Sequence, residues 1–146
     1  MEDEQIIIDK QNIIFNSDAN STAEVIRELA DTLFECGHIT DIEKFMDSVF
    51  EREREIPTSI GNGIAIPHGK SDVVLTSKIS LAVLKKPIVW DGSDDEVKYI
   101  FLLAIKDGDQ GDNHLRTLAN LASRLMDDEF VEMLKGATNI NELSFQ

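Results

Sequence analysis

One cysteine, three prolines and an aromatic content of 6% mark what this 146-residue chain has little of. A lone thiol, Cys36, can close no internal disulfide, so the fold draws nothing from an oxidising compartment and the chain reads as cytoplasmic. Cys36 lies in an amphipathic stretch, where a small buried thiol is expected rather than a nucleophile. With few rings, aliphatic side chains must build the core. A hydrophobic content of 42% is enough for that, and it argues against disorder. The longest uninterrupted apolar run, Tyr99 to Ile105, is far short of the ~20 residues that a membrane helix needs. The acidic start MEDEQ lacks the basic opening of a secretion signal. Positive charge is scarce as well: 14 Lys+Arg face 28 Asp+Glu, a net charge of −14. That field repels a phosphate backbone and no basic cluster offsets it, so nucleic-acid binding is disfavoured. Basic protein surfaces would be attracted, although a plainly solvated acidic surface is equally compatible.

What the chain does contain is an alternation of strand and helix signals. Asn12 to Phe15 reads as a first strand. Ser21 and Glu24 form an S-x-x-E capping box opening a helix with Val25, Ile26, Leu29, Ala30, Leu33 and Phe34 on one stripe, and Gly37 supplies its stop. A second helix starts after Thr40 or Asp41, buries Ile42, Phe45, Met46, Val49 and Phe50, and ends before Pro57. Its last turn, Glu51 to Glu55, is a string of alternating charge that reads as a solvated face. Thr58 to Gly63 is a loop by composition, and Ile64 to Ile66 is a short buried strand that Pro67 and Gly69 terminate. Further strands are expected at Ile79 to Leu84 and Val97 to Ile105, the second apolar throughout as in a sheet covered on both faces. After the polar loop Asp107 to Asp112, a third helix capped by Asp112 or Asn113 buries Leu115, Leu118, Ala119, Ala122, Leu125 and Met126. A shorter helix runs from Asp128 to Lys135, and one more turn lies within Asn139 to Phe145. The expected fold is α/β: a mixed β-sheet flanked by helices on both faces, a three-layer α/β/α sandwich. Residues 1–146 are expected to form one domain.

Three histidines are available for chemistry. His38 follows a helix stop, where a structural role is the default. His114 sits in the first turn of the third helix and is unremarkable alone. His68 stands between Pro67 and Gly69 past a buried strand, a frame that holds an imidazole at the end of a sheet and leaves room for a bulky group. Local physics leaves both a functional and a packed-loop reading open for it. No G-x-S-x-G elbow supports a hydrolase, no C-x-x-C or H-E-x-x-H supports a zinc site, and no Gly-Lys-Ser/Thr follows the glycines of Gly61-Asn62-Gly63. Phosphoryl transfer onto an imidazole remains.

The stretch from Arg52 to Lys70, REREIPTSIGNGIAIPHGK, resembles the active-site signature of enzyme IIA domains of the bacterial phosphoenolpyruvate:sugar phosphotransferase system, in the fructose/mannitol-type family. Its core is Ile64-Ala65-Ile66-Pro67-His68-Gly69, and the likeness extends over the W-D of Trp90-Asp91 and the strand and helix beyond it, from about Asn12 to about Leu143. The resemblance implies that His68 carries a phosphoryl group on Nε2, taken from phospho-HPr and passed to an enzyme IIB domain, typically on a cysteine. It also implies active-site roles for Arg52, sixteen residues before His68, and for His114. Each residue type suits that chemistry. A free imidazole, with a pKa of about 6.5, is largely neutral and nucleophilic at physiological pH. A guanidinium offers permanently charged, planar donors to phosphoryl oxygens, and a helix N-terminus favours the same anion. No cofactor or metal is expected, and the membrane is met only indirectly, through enzyme IIB and the sugar-binding IIC. The implied docking to the basic face of HPr would give the acidic surface a purpose. A nitrogen-type regulatory enzyme IIA, phosphorylated but acting by binding targets, shares the central motif. Trp90-Asp91 and the segment from His114 to Asp127 resemble the sugar-transport branch more.

Overall fold

The computed structural model describes residues 8–108, 120, 121, 123–125 and 127–143. A 3-10 turn at Lys10–Asn12 leads into β1 (Ile13–Ser17), followed by α1 (Thr22–Glu35) and α2 (Ile42–Glu55). Then come β2 (Ser59–Gly61), β3 (Ile64–Ala65), β4 (His68–Ser71), β5 (Lys78–Val89) and β6 (Glu96–Lys106). Helical residues at 120, 121 and 123–125 precede α3 (Asp128–Gly136), and a 3-10 turn at Ile140–Glu142 comes last among the described elements.

The strands form one mixed sheet in the order β1-β5-β6-β3-β2, with β4 also paired to β6. β5 and β6 are antiparallel, β1 runs parallel to β5, and β3 and β4 both run parallel to β6. Successive side chains on β5 and β6 alternate between two cores. Ala82, Leu84, Ile100, Leu102 and Ala104 meet α1 and α2 on one face. Leu81, Val83, Tyr99, Phe101 and Leu103 meet Leu121, Leu125, Phe130, Val131 and Leu134 on the other. The sheet is therefore covered on both sides, the mixed α/β sandwich that the apolar run in β6 implies. No described helix is long and apolar enough to cross a membrane.

Helix boundaries follow local chemistry. Ser21 Oγ accepts the Glu24 N–H at 3.1 Å, and Glu24 reaches back to the Asn20 N–H at 2.9 Å, so the capping box is closed one residue upstream of its usual second partner. Asp41 caps α2 through the Lys44 N–H at 3.0 Å. Phe45, Met46 and Val49 are buried as the stripe requires, with Ile42 and Phe50 partly so.

Four expectations need correction. Thr58 to Gly63 is not all loop: Ser59–Gly61 is an edge strand that turns back through Asn62 and Gly63 to pair with β3. The turn has Gly61, Asn62 and Gly63 at φ of 89°, 58° and 76°, a left-handed run that glycine and asparagine tolerate best. β3 does end before Pro67, but Gly69 is no terminator, because the chain re-enters the sheet as β4 at His68 and continues along β6. Cys36 is half-buried rather than sealed in the core, its Sγ 3.8 Å from Gln11 Oε1. Leu121, absent from the expected stripe, is fully buried beside Leu125. His114, Leu115, Leu118, Ala119, Ala122 and Met126, and the cap at Asp112 or Asn113, lie outside the described residues.

Candidate functional site

His68 stands at an interruption in the sheet. β3 pairs with Tyr99 and Ile100 of β6, and β4 pairs with Leu103 through Lys106, so the two short strands are one line broken at Ile66 and Pro67. Pro67 fits there because the ladder asks only for its carbonyl, which accepts the Leu103 N–H at 3.0 Å. The Ile66 N–H turns to the other side and donates to the Thr58 carbonyl at 3.1 Å. The Ile66 carbonyl is thereby left for the imidazole: His68 Nδ1 lies 3.1 Å from it. A carbonyl can only accept, so Nδ1 carries the proton and Nε2 presents its lone pair. The ring is half-buried.

Gly69 has a different task from the one its sequence context implies. It is buried, and a Cβ there would collide with Ser48 Oγ and lie 2.8 Å from a Val49 methyl. The glycine therefore lets α2 lie directly on β4, and it does not open space for an incoming group. His68 projects to the opposite side of the strand from Gly69, the side on which its register partner Leu103 meets Leu121 and Leu125.

Arg52 follows Ser48 and Val49 by one helical turn, on the same face of α2. The packing of α2 on β4 thus places Arg52 one helical turn beyond the contact with Gly69, on the Gly69 side of the strand. Its Nη1 donates to the Ile56 carbonyl at 2.9 Å rather than to the imidazole. That contact closes the helix end, where Ile56 is already extended at φ −154°. No carboxylate pairs with Arg52 among the described residues. Of the three expected site residues, the structure places two on neighbouring elements, and the third, His114, is outside the described residues. No group of three or more potential metal ligands occurs among the described residues.

Sequence reasoning passed over Glu53, which the alternating charge of 51–55 disguises. Its carboxylate is half-buried and accepts the Trp90 Nε1–H at 3.0 Å, the Thr58 N–H at 3.2 Å and the Thr58 hydroxyl. Two signals were present. Glu53 lies four residues after Val49 on the buried face, and a fully buried Trp90 requires an acceptor for its N–H.

Residues 6–144 match the family model described as "Phosphoenolpyruvate-dependent sugar phosphotransferase system, EIIA 2". The chain belongs to this EIIA family. It is 35% identical over 133 residues to the 2-O-alpha-mannosyl-D-glycerate-specific EIIABC component of Escherichia coli, an alignment that covers 90% of this chain and 20% of that protein. The chain thus spans only about a fifth of that EIIA-containing relative. The EIIA fold is equally plain. The nitrogen regulatory protein IIA-Ntr from Neisseria meningitidis superposes with a TM-score of 0.82 at 24% identity, covering 93% of this chain and 92% of its own. Escherichia coli enzyme IIA mannitol, solved in complex with phosphorylated enzyme IIB mannitol, superposes with a TM-score of 0.77 at 22% identity and 94% coverage of both chains.

Proposed function

We propose that residues 1–146 act as one EIIA unit, a phosphocarrier that accepts a phosphoryl group from phospho-HPr on His68 and passes it to an enzyme IIB domain during sugar uptake. The observation that carries this reading is the imidazole itself, its Nδ1–H held by the Ile66 carbonyl so that Nε2 bears the lone pair, without a partner among the described residues. In the forward step Nε2 attacks phosphorus while the phosphorus–nitrogen bond of the donor phosphohistidine breaks, and the donor ring keeps that bonding pair. Nδ1 keeps its proton and goes on donating it to the Ile66 carbonyl, so the phosphorylated ring keeps its orientation. The second step repeats this with the acceptor nucleophile and frees Nε2. Such transfers have loose transition states, so positioning and charge neutralisation supply the catalysis.

Arg52 moves from the Ile56 carbonyl to the phosphoryl oxygens as charge arrives, and His114 donates a further hydrogen bond. The transport reading is supported by the 35% identity to an EIIABC component. The site of action is the cytoplasm. A net charge of −14 steers the approach of a basic donor surface, so the association rate falls as salt rises.

The test is labelling by phosphoenolpyruvate, enzyme I and HPr, followed by addition of candidate IIB domains. Acid-labile label on the wild type, none on a folded His68→Ala variant, and chase onto a IIB domain are expected. Full labelling of His68→Ala would remove His68 from the reaction. Label that no IIB domain accepts would favour the nitrogen-type regulatory role.

A further inference from the structure

We infer that Glu53 is a positioning residue for His68, acting through Thr58 and the Ile66 carbonyl. The inference deepens the phosphocarrier reading and rests on it for its effect on transfer.

The connection is continuous. Glu53 Oε1 accepts two N–H groups, from Trp90 at 3.0 Å and Thr58 at 3.2 Å, while Oε2 accepts the Thr58 hydroxyl. All three partners are donors, and an ionised carboxylate is the side chain that offers only acceptors. Thr58 is buried, so its peptide has no solvent to fall back on and its position follows the carboxylate. Its carbonyl takes the Ile66 N–H at 3.1 Å, and the Ile66 carbonyl takes His68 Nδ1 at 3.1 Å. The Ile66 N–H is thus engaged by Thr58, just ahead of β2, and the Ile66 carbonyl is the group that selects the imidazole tautomer. Trp90, with no exposed surface, anchors the far end of the carboxylate. A base held by a neighbour that is in turn held by a third group is a recurring way to keep a nucleophile in the reactive tautomer. Here the third group is a side chain on the helix that also carries Arg52.

The tautomer is measurable without any phosphoryl donor. Nitrogen-15 NMR of the unphosphorylated protein at alkaline pH, with the ring neutral, is expected to find the wild-type His68 proton on Nδ1. In Glu53→Ala the ring moves toward the Nε2–H form that an unrestrained histidine prefers. The transfer rate constant then falls by roughly tenfold or more, with KM for the donor unchanged. Glu53→Gln restores both, because its oxygen keeps the two N–H groups and the Thr58 hydroxyl rotates to accept from the amide. Where Glu53→Ala does not fold, Thr58→Val is read in the same way, with a smaller shift in the same direction. A Glu53→Ala or Thr58→Val protein that keeps the wild-type tautomer overturns the inference, as does a Glu53→Gln protein as impaired as Glu53→Ala. A wild-type protein that never takes label would sink the carrier reading alone, since the tautomer arms decide the role of Glu53 separately.

Discussion

α1 and α2 are both 14 residues long and pack on the same face of the sheet, yet their C-termini are closed by different chemistry. α1 ends on its own backbone. Gly37 turns left-handed at φ 81°, its N–H donates to the Phe34 carbonyl at 3.0 Å, and the His38 N–H donates to the Leu33 carbonyl at 2.9 Å. α2 has no such glycine. Its last turn carries Arg52 and Arg54, and it is finished by Arg52 on the Ile56 carbonyl and by Glu53 on Thr58 and Trp90. A backbone closure commits no side chain and serves only the helix. A closure made from long ionic side chains leaves charged groups at the helix end, where an arriving anion can recruit one of them. The first helix end is closed by backbone alone, and the second by Arg52 and Glu53, whose partners Ile56 and Thr58 lie on the chain that leads to β3.

Four variants sharpen or break that contrast. Arg52→Ala is expected to slow phosphoryl transfer about 100-fold, the scale of losing one donor to a developing charge. Rapid-quench measurement with phospho-HPr reads it, and an unchanged rate accompanied by a large fall in Tm would make the α2 end as purely structural as that of α1. Gly69→Ala is expected to cost about 1–3 kcal/mol of stability by overpacking α2 against β4, measured by urea denaturation. A neutral result would mean that α2 does not bear on the strand of His68 as closely as the geometry requires. Gly37→Ala should cost about 1 kcal/mol in the same assay, for a side chain forced into the left-handed region, and leave transfer untouched. A loss of transfer there would erase the distinction between the two ends.

The smallest effect belongs to His38. Its pKa is lowered from 6.5 by desolvation and then by Lys78, with Asp9 opposing them. The unfolded chain therefore binds this proton more readily than the folded one. The stability that His38 contributes is full above the unfolded value and is lost as pH falls through the lower folded value. Replacing it by Gln should flatten the decline of Tm from neutral to mildly acidic pH. An identical slope in variant and wild type would leave His38 without influence on acid stability.

Much of the fold was legible because its rules are local. The S-x-x-E box, the Asp41 cap, the helical stripes and the apolar β6 each declare themselves within a few residues. The misreadings lie where a distant partner overrides a local rule. Pro67 and Gly69 read as strand breakers, yet β6 needs only a carbonyl from one and a missing Cβ is what α2 needs from the other. Glu53 was hidden by its own neighbours, since alternating charge disguises one inward-facing carboxylate. Of the expected site residues, His68 had a distinctive local frame, whereas Arg52 and His114 could be singled out only through family likeness. No periodicity distinguishes Arg52 from Arg54 until the face occupied by Val49 is followed one turn further.

The interrupted strand at Ile66 and Pro67 has a consequence for how the site can be approached. A nucleophile on a flexible loop can reach out and adjust to whichever donor arrives. His68 is instead set into a strand paired along one edge to the central β6, its ring held by the Ile66 carbonyl. It is a fixed socket, and the β4 amides that bond to β6 should exchange more slowly than those of an open loop. Partners that differ from one another must then bring their own adaptation to it. Variation in recognition belongs on the surfaces around the socket, while the socket itself has no freedom to drift.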